Sequence, residues 1–309
     1  MYTKRDLILC GLILLVGGIG FSAENEGISS IVDGKVEKVA DGFRFTEGPV
    51  WHRDGYLLFS DIPANQILKW TGTDQTEIFR KDSGNSNGLT FDLEGRLLAC
   101  EHSNRRISRT EENGEVITLV DSYQGKRLNS PNDCCVRSDG RIFFTDPPYG
   151  LPQQQEGKEL PFNGVYSFIP GEGELMLIAE DFDRPNGIAL SPDEKRLYVA
   201  DTTRNHVRVF DVQENGTLTN GKVLGSVTGP DGLKVDREGR VYVTSREGVV
   251  VFNPAGHRIG VIEIPEISAN CAFGEKDNQT LFITASTGVY RVRLKTAGTP
   301  VWNRSTGVD

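Results

Sequence analysis

Six times along this chain the same short pattern returns, and that repetition limits the possible folds more than any other feature. The segments EGPVWHRDGYLLFSD from Glu47, NGLTFDLEGRLLACE from Asn87 and NDCCVRSDGRIFFTD from Asn132 align with one another. NGIALSPDEKRLYVAD from Asn186, DGLKVDREGRVYVTS from Asp231 and NCAFGEKDNQTLFITA from Asn270 align with them. Each reads as two short strands around a polar turn. A third apolar run comes next (QILKW, RRISR, GVYSF, HVRVF, GVVVF, GVYRV), then a fourth in the first five repeats, such as TEIF or EVITLV. Four short strands in each repeat of about 45 residues, without helical periodicity, is the signature of propeller blades. The expected fold is all-β, a six-bladed β-propeller with four-stranded blades, forming one domain over residues 31–309. The sixth repeat lacks a clear fourth strand, and KVEKVA (Lys35 to Ala40) stands just before the first. An N-terminal strand is therefore expected to close the ring and leave no open sheet edge.

The N-terminus has a separate task. Lys4 and Arg5 precede an apolar run from Leu7 to Gly20, and Ser22 and Ala23 come after it. That is the layout of a secretory signal over residues 1–23, too short to span a bilayer comfortably. The mature protein is expected to be exported, periplasmic or secreted, and not membrane-bound after cleavage. Cys10 precedes most of the apolar run, the wrong place for a lipoprotein cysteine. A net charge of −9 argues against nucleic acid or an anionic membrane as partner. Cys100, Cys134, Cys135 and Cys271 show no C-x-x-C spacing and read as small buried residues on strands. The sequons at Asn215, Asn278 and Asn303 mark exposed polar turns at most.

GNSNG, Gly84 to Gly88, fits the G-x-S-x-G pattern of a serine hydrolase. A nucleophile elbow needs a helix after the serine, whereas the residues beyond Ser86 alternate like two strands. Ser86 is not expected to act as a nucleophile.

The first residues of the six repeats carry the stronger signal. Glu47, Asn87, Asn132, Asn186, Asp231 and Asn270 all bear a side-chain oxygen, and all stand at the entrance to an innermost strand. Innermost strands line the central channel of a propeller, so the six head residues should point towards one axis at one end. Asn-Gly and Asp-Gly also form turns, but turn chemistry does not explain Glu47, nor Asn132 and Asn270, which no glycine follows. An oxygen-only set with two carboxylates suits Ca²⁺ best, with Mg²⁺, Mn²⁺ or Zn²⁺ as replacements. Three or four protein ligands with water completing the shell is the expected arrangement.

EGPVW, RLNSPNDCCVRSDGRIFFTDPPYG, RPNGIALSPDEKRLYVADT and GPDGLKVDREGRVYV resemble the gluconolactonase/regucalcin (senescence marker protein) family of six-bladed propellers. The resemblance implies a divalent ion held by Glu47, Asn132, Asn186 and Asp231, with Asp231 doubling as general base. It further implies that Arg127 and Asn129, in RLNSPND, hold substrate. Asn87 and Asn270 lie beyond that four-ligand pattern and are left to bind substrate hydroxyls or brace the ring. His102 either sits on a solvated loop or faces the channel mouth beside the substrate. The activity implied is metal-dependent hydrolysis of a sugar lactone, glucono-1,5-lactone to gluconate. The alternatives are a calcium propeller acting on another lactone or an organophosphate ester, and an exported binding propeller without turnover.

Overall fold

The computed structural model describes residues 27–73 and 75–300; residues 1–23, expected to be a signal, and Asn303 lie outside them. Six four-stranded antiparallel sheets are arranged as the blades of a β-propeller. Blade 1 comprises Thr46–His52, Tyr56–Asp61, Gln66–Trp70 and Thr76–Lys81, and blade 2 Ser86–Phe91, Leu97–Glu101, Arg106–Thr110 and Val116–Val120. The innermost strands of blades 3, 4 and 5 are Cys134–Val136, Pro185–Leu190 and Leu233–Val235. Blade 6 runs from Ser268–Gly274 outwards through Thr280–Ala285 and Gly288–Arg293, and its outer strand is Glu37–Asp41 from the start of the chain. The N-terminal strand thus closes the ring as the missing fourth strand requires. It covers the edge that Gly288–Arg293 would otherwise leave open for intermolecular pairing.

The Ser86 segment is two strands, as its alternation indicates, and the Ser86 hydroxyl is buried 3.0 Å from Ser60 Oγ. Apolar residues of neighbouring sheets interdigitate between the blades. Trp51 of blade 1 stacks on Phe282 of blade 6 at 5.2 Å, for example, and Phe91 is buried. Cys100, Cys134 and Cys271 are buried reduced thiols. Asn278 departs from expectation: it is not an exposed turn but is buried at the back of the ring, where its carbonyl accepts a hydrogen bond from Gly298 N. The final described residues cross that end of the channel, and Thr299 and Pro300 help to line an apolar chamber of about 100 Å³.

Two local devices deliver the head residues to the axis. First, strand pairing is irregular where each head enters. Register shifts fall between Glu47 and Val50, Ser86 and Leu89, Pro185 and Ile188, and Ser268 and Asn270. In blades 3 and 5 regular pairing begins only after the head residue. A bulge re-aims the side chains beside it. Second, the glycines directly after four of the heads let adjacent blades close up. A Cβ on Gly48, Gly88 or Gly187 would lie 2.0, 2.6 or 2.4 Å from the carbonyl oxygen of Asn87, Asn132 or Asp231 in the next blade. Gly88 and Gly187 donate their N–H groups to the latter two oxygens, at 2.8 and 3.0 Å. Contact therefore demands glycine at these positions, since backbone atoms cannot yield as a flexible side chain does, and at Gly48 a φ of +49° favours it as well. Gly187→Ala is expected to cost about 1–3 kcal/mol or more through this overpacking. Denaturant unfolding of the purified variant checks it, and an unchanged midpoint would contradict the packing described.

Candidate functional site at the mouth of the channel

The acids that end the second strands, prominent in the repeats, do not face the axis as a second ring of ligands. Asp61, Asp146 and Asp201 grip the segment leading into their own blade's inner strand, whereas Glu101 accepts from the side chains of Arg80, Arg106 and Ser108. Asp61 accepts hydrogen bonds from the backbone N–H groups of Arg44 and Phe45, at 3.0 and 3.2 Å. Asp201 does the same for Asp183 and Arg184, at 2.9 and 3.2 Å. Asp146 accepts from Asn129 N at 2.7 Å. Each carboxylate fixes backbone that leads to a head residue: Glu47, Asn186 and Asn132 respectively. Hydroxyls on the second strands or just beyond add ties across to the next blade. Ser60 Oγ donates to Asn87 O, Thr145 Oγ1 to Asn186 O, and Thr202 Oγ1 to Pro230 O, beside Asp231.

The head side chains fall into two groups. Asn186 donates its Nδ2 to Thr202 Oγ1 at 3.1 Å, and Asn87 Nδ2 lies 3.3 Å from His102 Nε2. In both residues this ties off the amide nitrogen and leaves the Oδ1 buried with no hydrogen-bond partner. Such an oxygen is costly to leave unmatched, and it is the donor a hard cation needs. Asn270 is turned the other way. Its Oδ1 accepts from Cys271 N at 2.8 Å, and its Nδ2 lies 3.5 Å from Asp133 Oδ2 deeper in the channel.

Sequence reasoning passed over Asp133 and Lys234. Asp133 stands one place after the third head, where blades 1, 2, 4 and 5 have glycine, and Lys234 Nζ lies 3.8 Å from its Oδ2. Burial pushes the Asp133 carboxyl up, with Lys234 partly offsetting it. Burial opposes the Lys234 charge, but the carboxylate beside it prevails and raises that group. Glu47 is pushed up to about 7, first by burial and then by Asp133, although it accepts a 2.6 Å hydrogen bond from Gly48 N. Asp231 is also raised, by burial and by the charges of Glu47 and Asp133. Three acids share this space with one ammonium, and burial and mutual repulsion hold them towards their protonated forms; only when all three ionise is there an excess of two negative charges, which one divalent cation would match. Among the described residues no three His, Cys, Asp or Glu side chains are grouped as a metal cluster. The donor set that fits a cation here is mixed, carboxylate with amide oxygen.

The residues assigned to substrate lie at different depths. His102 is buried rather than on a solvated loop, and burial lowers it to about 4. Arg127 is exposed on a small hairpin, Ser122–Tyr123 with Lys126–Arg127, and donates to Asn104 O at 3.2 Å. Asn129 is fully buried. Its Nδ2 donates to Asp146 O and Phe162 O at 2.9 and 3.0 Å, leaving only Oδ1 without a partner. Two further residues stand over the site, Tyr149 in DPPYG and Arg184, whose guanidinium lies 5.2 Å from the Tyr149 ring centroid.

Two carboxylates and orphaned amide oxygens thus meet at the channel mouth, at the head of a six-bladed ring. Residues 45–287 match the model of the SMP-30/gluconolactonase/LRE-like region, and the chain belongs to that family. It is similar to a gluconolactonase of Zymomonas mobilis, with 38% identity over 85% of this chain and 82% of that protein. It is 26% identical to human regucalcin, over 82% of this chain and 87% of that protein. Among solved structures, a gluconolactonase of Xanthomonas campestris superposes with a TM-score of 0.80 and 36% identity, covering 86% of this chain and 92% of that one.

With the folded value near 4 and an ordinary one near 6.5, His102 takes up its proton more readily when the chain unfolds. Its contribution therefore makes stability fall as pH drops from about 6.5 towards 4, by about 3 kcal/mol at most. In NMR the His102 imidazole is expected to stay neutral from pH 8 down to pH 5; a titration midpoint near 6.5 would contradict its burial.

Proposed function

We propose that this protein hydrolyses a sugar lactone, glucono-1,5-lactone to gluconate, with a divalent cation, Ca²⁺ foremost, at the channel mouth. The observation that carries this reading is the pairing of Glu47 and Asp231, raised carboxylates, with the orphaned Asn186 oxygen in a fold shared with gluconolactonases. Glu47, Asn132, Asn186 and Asp231 would hold the ion. When bound, it supplies Lewis-acid polarisation of the lactone carbonyl and stabilises the developing oxyanion.

The chain's own residues do the rest. Asp231 accepts a proton from the attacking water as the water oxygen bonds to the carbonyl carbon. The bond from that carbon to the ring oxygen then breaks, and the proton passes to the departing oxygen, giving the open hydroxy acid. A lactone is an activated ester, so no covalent enzyme intermediate is required, in keeping with Ser86 being buried against Ser60. Neutral His102 and the Asn87 amide form the polar wall for ring hydroxyls, and Arg127 extends it to the exposed rim. We read residues 1–23 as an export signal and place the mature enzyme in the periplasm or outside the cell.

Acid release from glucono-1,5-lactone, above the spontaneous rate, is expected with Ca²⁺ and should disappear on chelation. Asp231→Ala is expected to abolish it. Calcium binding without turnover on any lactone would favour a binding propeller instead. Removal of the ion also has a pH signature. Glu47 has a folded value of about 7 against an ordinary 4.5, so its contribution to metal-free stability is lost as pH rises between those values. The gain in melting temperature on adding Ca²⁺ should accordingly be larger at pH 8 than at pH 5.5. An equal gain at both would sever the link between the raised carboxylate and the ion.

A further inference from the structure

The hydroxyl of Tyr149 is buried; Thr202 and Asn186 are close enough to interact with it, but no hydrogen bond of good geometry satisfies it, although everything around it is fixed. Its loop leaves the second strand of blade 3 and is pinned over the channel mouth. Ser130 Oγ donates to Pro147 O at 2.8 Å and accepts from Gly150 N at 2.8 Å. Gly150 presses on His102: a Cβ there would lie 2.4 Å from His102 Cβ, so only glycine lets the loop come this close. On its other side the Tyr149 ring is covered by Arg184, whose backbone N–H is held by Asp201 and whose Nη2 donates to Gln154 Oε1 at 2.7 Å. Thr202 and Asn186 are the hydrogen-bonding side chains nearest the phenol, and Asp231 and Arg184 the nearest charges; Asn186 and Asp231 are among the residues assigned to the ion.

A buried hydroxyl costs free energy unless matched. This one is held on both sides yet aimed at the reaction centre, which is how a donor awaiting a ligand is built. A phenol is protonated at neutral pH, so this one can donate to an oxygen that carries charge. Resting on the lactonase reading above, we propose that Tyr149 O–H donates a hydrogen bond to the lactone group of the bound substrate. That bond shortens and strengthens as negative charge builds on the group during attack. No proton leaves the phenol. Arg184 is a positioning residue that holds the ring in place.

Tyr149→Phe keeps the ring and the Arg184 contact and removes only the donor. In the full chain with Ca²⁺, kcat on glucono-1,5-lactone is expected to fall about 100-fold, the typical effect of removing one oxyanion donor. Calorimetric Ca²⁺ affinity and melting temperature should stay at wild-type values. A wild-type kcat in the variant would overturn the proposal while leaving the lactonase reading intact. Ca²⁺ affinity falling in step with kcat would overturn it as well, showing the hydroxyl to be a brace for Asn186. A wild-type protein inactive on lactones would sink both.

Discussion

The site depends on carboxylates that never face it. Asp61, Asp146 and Asp201 each end a second strand and fold back to accept backbone N–H groups from the segment leading into the first. Without that grip the segments before Glu47, Asn132 and Asn186 would be ordinary inter-blade loops. Loops frayed by even an ångström cannot hold oxygens at ligand distance. Recurring in blades 1, 3 and 4, this bond draws three of the heads into one convergent geometry. The close-contact glycines act in the same direction, because they set the spacing between neighbouring heads.

The electrostatics are a consequence of that convergence. Glu47, Asp133 and Asp231 are brought together under burial, and each raises the cost of ionising another. Folding tolerates the arrangement because Lys234 neutralises part of it from below. The remainder is a standing demand for positive charge at the open end of the channel, where substrate enters. On the proposed reading, stability of the metal-free fold and affinity for the ion would be opposed, a common relation at functional sites.

Much of this was legible in the sequence, and the reasons are physical. Strand alternation and turn residues are local, so six repeats and a missing outer strand could be read directly, including the N-terminal closure by Glu37–Asp41. The head residues were legible because one position in every repeat bears an oxygen. What local pattern could not show was direction. Asn270 has the same chemistry as Asn186, but its oxygen is taken by the N–H of Cys271 and its side chain turns towards Asp133. Asp133 hid one place after a head, where glycine dominates the pattern. Tyr149 lies in a loop peculiar to blade 3, outside any repeat, and Asn278 looked like a surface turn until the C-terminal segment was seen to cover it. The acids ending the second strands were visible in the alignment; only their backbone partners reveal them as anchors.

On the reading proposed above, Glu47, Asn132, Asn186 and Asp231 would hold one cation on the channel axis. Anomalous diffraction from crystals of the mature protein soaked in Mn²⁺ tests it directly. One strong peak is expected, with oxygens of Glu47, Asn186 and Asp231 at about 2–2.6 Å from it. A peak only elsewhere on the molecule, or none at the channel mouth in crystals that diffract well, would contradict it.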